Sequence, residues 1–364
     1  MAADVSALGR NLNKMFPALS HKNFRYFWFG HCISLLGTWM QRTAQQWLVY
    51  SLTKSALLLG FLGVAQFGPV LLFSLFAGVI IDRCSKKRMI IFTQTALMIQ
   101  AFTLMALVWS GHVRYWHVLV LAALLGLMNS IDMPARQSFI INLVGRNDLT
   151  NAIALNSAVF NAARIAGPAL SAILLVRFGV GFCFFINGLS FIPVIFGLFM
   201  IKYQSSGTTA QQGRIINDIL DGLKYIKSKP VILSAILALV AVGTFAMNMD
   251  VIIPVFSDRI LHRGAQGYGF LLSAIGFFHM MFMTLVNSTI QLNVSDSFRG
   301  RVMSVYTLSF AGAMPFGNFF AGSVMERFGA SAGFLVCGAA TGLSIAALVL
   351  WMFTKQTAKT LCEH

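Results

Sequence analysis

Long apolar stretches bounded by charged residues, glycine or proline recur along the whole chain. Each has about 20 residues, the length that an α-helix needs to cross a hydrocarbon core of about 30 Å. The pattern therefore predicts ten membrane-spanning helices, an even number that places both ends of the chain on the same side. We place them at 27–50, 56–81, 89–110, 116–134, 153–176, 180–201, 231–256, 268–292, 302–325 and 331–354.

Two shorter segments carry apolar residues at helical spacing with charged residues between them. One lies near the N-terminus, and the other begins at Ile215, after the polar stretch 204–213. This pattern is typical of amphipathic helices on the membrane surface. The predicted organisation is a cytoplasmic amphipathic N-terminal segment, a six-helix bundle, a cytoplasmic linker with an amphipathic helix, a shortened C-terminal bundle and a cytoplasmic tail. In the same order, these occupy 1–26, 27–201, 202–230, 231–354 and 355–364.

Composition excludes a water-soluble globule. Of the 364 residues, 57% are hydrophobic and only 10% are charged, whereas soluble domains have about 25% charged residues. The fold class predicted is all-α, a polytopic membrane protein. The net charge of +16 lies mainly in short loops rather than in a basic stripe with aromatic residues, so it indicates topology and anionic lipid headgroups and not nucleic acid.

Orientation follows from the same loops. The loops on the side that holds both termini carry most of the lysines and arginines. The side richer in these residues is normally cytoplasmic. We therefore expect a multi-pass protein of the cell membrane with both termini in the cytoplasm.

Motifs for metal binding and catalysis are missing from the sequence. The five cysteines are scattered without a C-x-x-C pair, which predicts neither a disulfide framework nor a metal site. The sequence has no G-x-x-x-x-G-K-[ST] or H-E-x-x-H motif, and the G-x-S-x-G match at 329–333 lies at the start of a predicted span and does not support enzymatic chemistry. We expect no enzyme and no cofactor, so any pumping must draw on an ion gradient.

The chain contains an internal repeat. At an offset of 150 residues, Gly167 aligns with Gly317 within a block that covers the last two spans of each half. Nearer the start of each half the offset is 209, where Gly60 aligns with Gly269. The two offsets differ by 59 residues, which predicts six helices, a linker and then four helices. The junction in the shortened copy falls near residues 278–279.

Several segments together resemble one transporter family. They are 36–41 in the first span, 78–88 after the second, 132–137 at the end of the fourth and 164–168 in the fifth. The chain resembles the major facilitator superfamily, particularly the branch with the enterobactin exporter and macrolide efflux proteins. The resemblance implies two bundles that alternate access to a central site. Full-length members have twelve spans, so this chain has two fewer.

The resemblance also implies gate and packing residues. The resemblance implies that the loop after the second span faces the end of the fourth span and forms a cytoplasmic gate with it. In this loop Ser85 replaces the glycine that the family usually has. In the fifth span, a Gly-Pro pair marks a helix bend or close-packing point and favours export. The gate residues implied are Gly78, Asp82, Arg83, Lys87 and Arg136, and the pair is Gly167 and Pro168.

Four charged residues lie at membrane depth: Arg42, Asp132, Arg164 and Asp250. Each costs about 2.5 to 3.5 kcal/mol to insert, so each needs a partner, water or a function. The 209-residue offset places Arg42 and Asp250 at neighbouring levels of equivalent spans. They are either a proton-sensitive pair, a static stabilising pair, or residues that line the cavity without a role in coupling. Asp250, Arg42 and Asp132 are the candidates for proton coupling.

Polar residues on the first and seventh spans form a candidate substrate site. A polar stripe inside the bilayer contacts either substrate and water or another helix, and both interpretations stay open here. An aromatic side chain beside it either stacks on a ligand or packs between helices. The candidates are Gln41, Gln45, Gln46, Trp39, Asn248 and Arg164.

These observations predict a secondary active transporter. The expected activity is export of a siderophore-like or drug-like organic molecule in exchange for protons, by alternating access. Its expected partners are the lipid bilayer, a small organic substrate and protons, and the oligomeric state is left open. The alternatives are a non-transporting, shortened membrane protein that acts as a partner or remnant, and a dimer in which two short bundles complement each other.

Overall fold

The computed structural model describes residues 16–201 and 215–362, with side chains except at 74–83, 215–219, 296, 297, 299, 300, 304 and 355–362. A single 3₁₀ turn, Pro17–Ser20, precedes the helices. The helices are α1 (Lys22–Thr53), α2 (Ala56–Arg83), α3 (Lys86–Trp109), α4 (Tyr115–Val144), α5 (Leu149–Phe178), α6 (Val180–Met200), α7 (Ile215–Ser228), α8 (Pro230–Phe245), α9 (Met249–Arg259), α10 (Gly264–Asn293), α11 (296–328) and α12 (330–362).

The described helices make ten crossings of a membrane-sized layer. Eight stretches are long and apolar enough to cross, and the last of them, 301–354, is broken at Gly329, where φ is 85°. Only glycine adopts this backbone conformation readily, so the stretch is two helices. α1 is the tenth crossing, since its 32 residues pack against α5 and α6 although polar residues interrupt its apolar sequence.

The seventh crossing is discontinuous, which corrects the continuous helix expected at 231–256. α8 ends at Phe245, and α9 begins at Met249 with Asn248 as its N-cap. At the break, the amides of Ala246 and Met247 both donate to the carbonyl oxygen of Val242. Asp250 therefore lies in the first turn of a new helix.

α10 runs without a break through residues 278–279, where the two repeat offsets meet. The front of this helix aligns with α2 and its back aligns with the end of α4. Ile290 in the back part is fully buried, like the residue 150 positions earlier, Ile140. A single helix thus joins sequence related to two different helices of the first half.

The first half, α1–α6, and the second half, α8–α12, meet most closely at one end. We call this the far end, because it lies opposite the chain ends, and we call the other the termini end. At the far end one apolar core spans both halves and includes Tyr50, Leu59, Val255 and Met325. At the termini end each half has its own core. Among the described side chains, the two halves therefore share a core at the far end and have separate cores at the termini end.

The linker helix α7 docks on the second half at the termini end. The Tyr225 ring stacks on Phe298 at a centroid distance of 4.3 Å, and Asp221 pairs with Arg301 at 3.3 Å. Ile226 is buried beneath the helix. The amphipathic helix predicted from Ile215 onward is therefore present, whereas residues 1–15 and the polar stretch 204–213 lie outside the described part of the chain.

Candidate functional site

The two halves are joined within the membrane layer by an ion pair between Arg42 on α1 and Asp250 on α9. The distance from the Arg42 Nη2 to the Asp250 Oδ2 is 2.6 Å, and both side chains are 20% exposed. The Arg42 guanidinium also lies over the rings of Trp39 and Phe67, at 5.2 and 4.7 Å from their centroids. The pair is thus partly shielded from water, which strengthens its attraction.

The backbone adds to the preference for a charged carboxylate at Asp250. Asp250 lies in the first turn of α9, where the free amides and the helix dipole favour negative charge. This position exists because the seventh crossing breaks at Asn248. The helix N-terminus and Arg42 thus both place positive electrostatic potential beside the Asp250 carboxylate.

Further titratable groups surround this pair. Arg164 on α5 lies close enough to Arg42 and Asp250 to interact electrostatically with both side chains. Tyr268 and His279 on α10 lie close to Arg42 as well. Tyr306 on α11 lies near Arg164. We call these residues the central cluster: Arg42, Arg164, Asp250, Tyr268, His279 and Tyr306.

The glutamines of α1 differ in what they contact. Gln41 bonds Gln100 on α3 and Asn187 on α6, both at 2.8 Å, and Gln45 donates to the Val118 carbonyl on α4. Both are almost completely buried inside the first half. Their contacts favour helix packing over substrate contact.

Gln46 and Trp47 instead reach the second half. The Tyr268 hydroxyl donates to Gln46 Oε1 at 2.5 Å, and the Trp47 ring stacks on Tyr268 at 5.9 Å. Both contacts join α1 to α10. Gln46 therefore belongs to the interface between the halves.

The remaining polar candidates, Trp39 and Asn248, lie beside the central cluster. Trp39 makes an edge contact with Phe160 at 5.6 Å in addition to its contact with Arg42. Asn248 is fully buried, and its side-chain amide donates to the Thr244 carbonyl at 2.6 Å. Asn248 Oδ1 is buried without a partner among the described residues.

Asp132 is the centre of a buried polar network inside the first half. Its carboxylate accepts hydrogen bonds from Thr93 at 2.6 Å and Gln94 at 3.1 Å, and it forms an ion pair with Arg136. Arg136 also contacts the His31 Nδ1 at 2.6 Å. Asp132 and Arg136 are 5% and 8% exposed, so these charges join α1, α3 and α4 rather than the two halves.

A second set of contacts between the halves closes the far end. The Asp258 carboxylate of α9 accepts a hydrogen bond from Tyr50 at 3.0 Å and pairs with Lys54 at 3.1 Å. Arg259 donates to the Lys54 carbonyl at 2.8 Å. We call this set, together with Glu326, the far-end lock.

Glu326 completes the lock from α11. One of its oxygens accepts from the Ser55 hydroxyl and the Ala56 amide, both at 3.0 Å, and from the Leu57 amide at 3.3 Å. A carboxylate of the second half thus caps the N-terminus of α2 in the first half. Helix N-termini favour such a negative charge, and this contact holds the far end shut.

Comparison with known proteins identifies the family. Residues 13–281, more than half of the chain, match the family described as transmembrane secretion effector. The chain belongs to the major facilitator superfamily. The match ends at residue 281, next to the position in α10 where the two repeat offsets meet.

Named relatives and solved structures agree with a transporter. The chain is 23% identical over 263 residues to the staphyloferrin A transporter of Staphylococcus aureus, which covers 69% of this chain and 64% of that protein. It is 28% identical over 225 residues to the multidrug efflux pump Tap of Mycolicibacterium fortuitum, covering 58% and 54%. The chain thus spans about half to two thirds of the length of these relatives.

The fold is that of solved major facilitator transporters. The nucleoside transporter NupG superposes with a TM-score of 0.68 at 12% identity, over 92% of this chain and 99% of the other. This chain therefore belongs to a family of membrane transporters and shares their fold. It belongs to a non-enzymatic family.

The gate residues implied by the family lie partly outside the described side chains, namely at Gly78, Asp82 and Arg83. Lys87 donates to the Ile201 carbonyl at 2.7 Å, and Arg136 belongs to the Asp132 network. Both contacts are made within the first half.

The Gly-Pro pair lies inside α5, which continues from Leu149 to Phe178. A Cβ on Gly167 would meet the backbone of Met40 at 3.1 Å, and the Pro168 carbonyl faces Gly269 of α10. Both residues are buried. The pair is therefore a close-packing point between α5 and its neighbours.

The predictions from sequence do not include the far-end lock, although the sequence carries a signal for it. Asp258 is 208 positions after Tyr50, the same separation as between Arg42 and Asp250 and one less than the 209-residue offset of the first spans. Both pairs thus join neighbouring levels of equivalent spans in the two halves. Asp258 lies just past the end of its predicted span, where a charge does not by itself indicate a function.

Proposed function

We propose that this protein is a secondary transporter that exports a small organic molecule in exchange for protons. The observation that carries this proposal is the Arg42–Asp250 pair. It joins one helix of each half inside the membrane layer, at 2.6 Å, between a locked far end and a termini end where the halves have separate cores. A pair in this position links protonation to the separation of the halves.

Protonation of Asp250 removes the negative charge that holds Arg42. The Arg42 guanidinium then keeps only its contacts with Trp39 and Phe67 in the first half. With the central pair broken, α9 is free to move away from α1, and the far-end lock opens. The other groups facing Asp250 are Arg164 on α5 and Tyr268 on α10.

The relatives' names support the direction and the class of cargo. One is called a multidrug efflux pump and another a transporter of staphyloferrin A. From these names we infer only that the transported molecule is organic and that it leaves the cell. In this scheme the termini end faces the cytoplasm of a cell membrane, as its basic loops predict, and α7 belongs to the cytoplasmic linker between a six-helix bundle and a shortened one.

Transport by the reconstituted protein tests the proposal. Purified protein in liposomes is given a proton gradient, and the movement of three fluorescent probes is followed: ethidium, Hoechst 33342 and dansylglycine. We expect gradient-dependent flux of at least one probe, abolished in Asp250→Asn. The matched control is Asp221→Asn, which removes an exposed carboxylate of α7 that lies outside the membrane.

A second variant tests His279 of the central cluster as an alternative to Asp250 for carrying the proton. His279→Gln should keep the response to the proton gradient if Asp250 carries the proton. Absence of flux for all probes in protein that is folded and inserted would contradict the proposal. That result would favour the alternative of a non-transporting, shortened membrane protein.

A further inference from the structure

Near the middle of α5, Arg164 forms no ion pair with any of the described residues. Its one described hydrogen bond is a long contact of 3.5 Å from its Nη2 to the Gly276 carbonyl of α10. A guanidinium has five N–H donors, and placing it in the middle of a membrane helix costs about 2.5 to 3.5 kcal/mol on insertion scales. The side chain therefore has donors to offer to a ligand.

The charge balance around Arg164 is positive. The chain has 11 acidic residues, and among those described only Asp250 belongs to the central cluster. Asp250 is already bound to Arg42 at 2.6 Å. The second arginine, Arg164, thus leaves one positive charge uncompensated, whichever protonation state His279 has.

Two further buried nitrogens in the cluster have no partner among the described residues. They are the Arg42 Nε and the His279 Nε2. The first is always a donor, and the second donates in one of the ring's neutral tautomers and in the protonated ring. Buried donors without acceptors are rare in folded proteins. Three neighbouring side chains from α1, α5 and α10 thus have nitrogens without an acceptor among the described residues.

Aromatic rings flank these donors. Trp39 and Phe67 lie against the Arg42 guanidinium, and Phe160 contacts Trp39. Rings in this position suit the apolar part of a ligand whose charged part binds Arg164. The shortened second half takes part in the site, since Gly276 and His279 both lie at or just before the junction in α10.

We infer that Arg164, with the buried nitrogens of Arg42 and His279, binds the anionic group of an organic anion that also has an apolar or aromatic part. This inference names the substrate class of the transporter proposed above and rests on that function. A carboxylate or phosphate suits the site because it accepts several hydrogen bonds from a guanidinium. A soluble organic anion and an anionic lipid headgroup share this chemistry.

Binding of two matched probes tests the inference without a gradient. Dansylglycine carries a carboxylate, and dansylglycinamide replaces it with a neutral amide. Energy transfer from the tryptophans to the dansyl group of purified protein in detergent gives both dissociation constants. We expect at least tenfold tighter binding of dansylglycine. Equal affinities for the two probes in the unmodified protein would overturn the inference.

Variants assign the effect to Arg164. Arg164→Gln should weaken dansylglycine binding at least tenfold and leave dansylglycinamide unchanged, and Arg164→Lys should lose less. The matched control is Arg177→Gln, which removes an exposed charge from the same helix and should change neither constant. If Arg164→Gln and Arg164→Lys fold and still prefer dansylglycine to dansylglycinamide as strongly as the unmodified protein does, the assignment to Arg164 is wrong.

The source of the anion is decided in nanodiscs. If the site takes a lipid headgroup, phosphatidylglycerol should weaken dansylglycine binding to the unmodified protein, whereas phosphatidylcholine should not. If it takes a soluble anion, both lipids should give the same constant. Because no gradient is used, anion binding without flux would refute transport alone, and flux without anion preference would refute this inference alone.

Discussion

Gly60 on α2 and Gly269 on α10 make equivalent contacts on opposite sides of the protein. A Cβ on Gly60 would lie 2.6 Å from the Asn318 carbonyl oxygen of α11, and a Cβ on Gly269 would lie 2.7 Å from the Pro168 carbonyl oxygen of α5. Gly269 is the repeat of Gly60 at an offset of 209, and Asn318 is the repeat of Pro168 at an offset of 150. One offset thus relates the two glycines and the other relates the two residues that face them. The α2–α11 and α10–α5 interfaces are therefore equivalent.

This symmetry predicts that the two glycines respond alike to substitution. Gly60→Ala and Gly269→Ala should each lower the free energy of unfolding by about 1 to 3 kcal/mol, the usual cost of overpacking. Thermal unfolding in detergent measures this loss. Gly68→Ala is the control on α2, because a Cβ there meets its nearest atom only at 4.0 Å. A loss at one glycine and none at the other would refute the equivalence of the interfaces.

Asp258 should hold the far end closed. Asp258→Asn removes the ion pair with Lys54, and a partly exposed pair of this kind contributes about 0.2 to 1 kcal/mol. We expect the far end to open up to about fivefold more often. The readout is the maleimide labelling rate of Ala44→Cys, which replaces a fully buried residue of the shared core.

The control for this experiment is Asp148→Asn, which breaks the His21–Asp148 contact within the first half. Its labelling rate at position 44 should equal that of the unmodified protein. Equal rates in Asp258→Asn as well would show that the lock does not hold the far end.

Most of the fold follows from the sequence. Ten crossings, the linker helix and the short second half follow from apolar length and from the two repeat offsets, because each span needs about 20 mostly apolar residues to cross the bilayer. The break at Asn248 does not follow, since the residues at that point include neither proline nor glycine, which usually interrupt a helix. The contacts of α9 with α1 and α2 of the first half are likewise not evident from the sequence.

The site is predicted less completely. The pairing of Arg42 with Asp250 follows from the offset. The different roles of Gln41, which packs inside the first half, and Gln46, which lies at the interface between the halves, do not. Both are polar residues on one helix, and only the neighbouring helices distinguish them. Asp132 illustrates the same limit, because its partners Thr93 and Gln94 come from a helix whose rotation the sequence does not fix.

Asp132 should be essential for stability. Asp132→Asn leaves Arg136 buried without its carboxylate, and breaking a buried ion pair typically costs about 3 to 5 kcal/mol. The melting temperature in detergent should therefore fall strongly, with Asp221→Asn as the exposed control. Unchanged stability together with lost transport would instead support the gate role that the family resemblance implies for this end of α4.

Cys84 tests the orientation of the chain. This exposed cysteine lies between α2 and α3 at the termini end. In a variant that keeps only Cys84, an impermeant maleimide should label the protein in permeabilised cells and not in intact cells. A cysteine placed at Ser110, at the far end, should be labelled in intact cells. The reverse pattern would place the termini outside.

In the proposed mechanism the Arg42–Asp250 pair controls the far end. This is tested by the distance between spin labels on either side of the far end, at Ser51→Cys of α1 and Ile260→Cys after α9. Both positions are exposed, and the labels are placed in a variant without the native cysteines. Labels at Ser51→Cys and Ser110→Cys, both in the first half, provide the reference distance.

In the unmodified protein we expect one short distance between positions 51 and 260. In Asp250→Asn, which removes the negative charge that holds Arg42, a second, longer distance should appear. The reference distance should be the same in both proteins. A single distance between positions 51 and 260 that is the same in the unmodified protein and in Asp250→Asn would show that the pair does not control the far end.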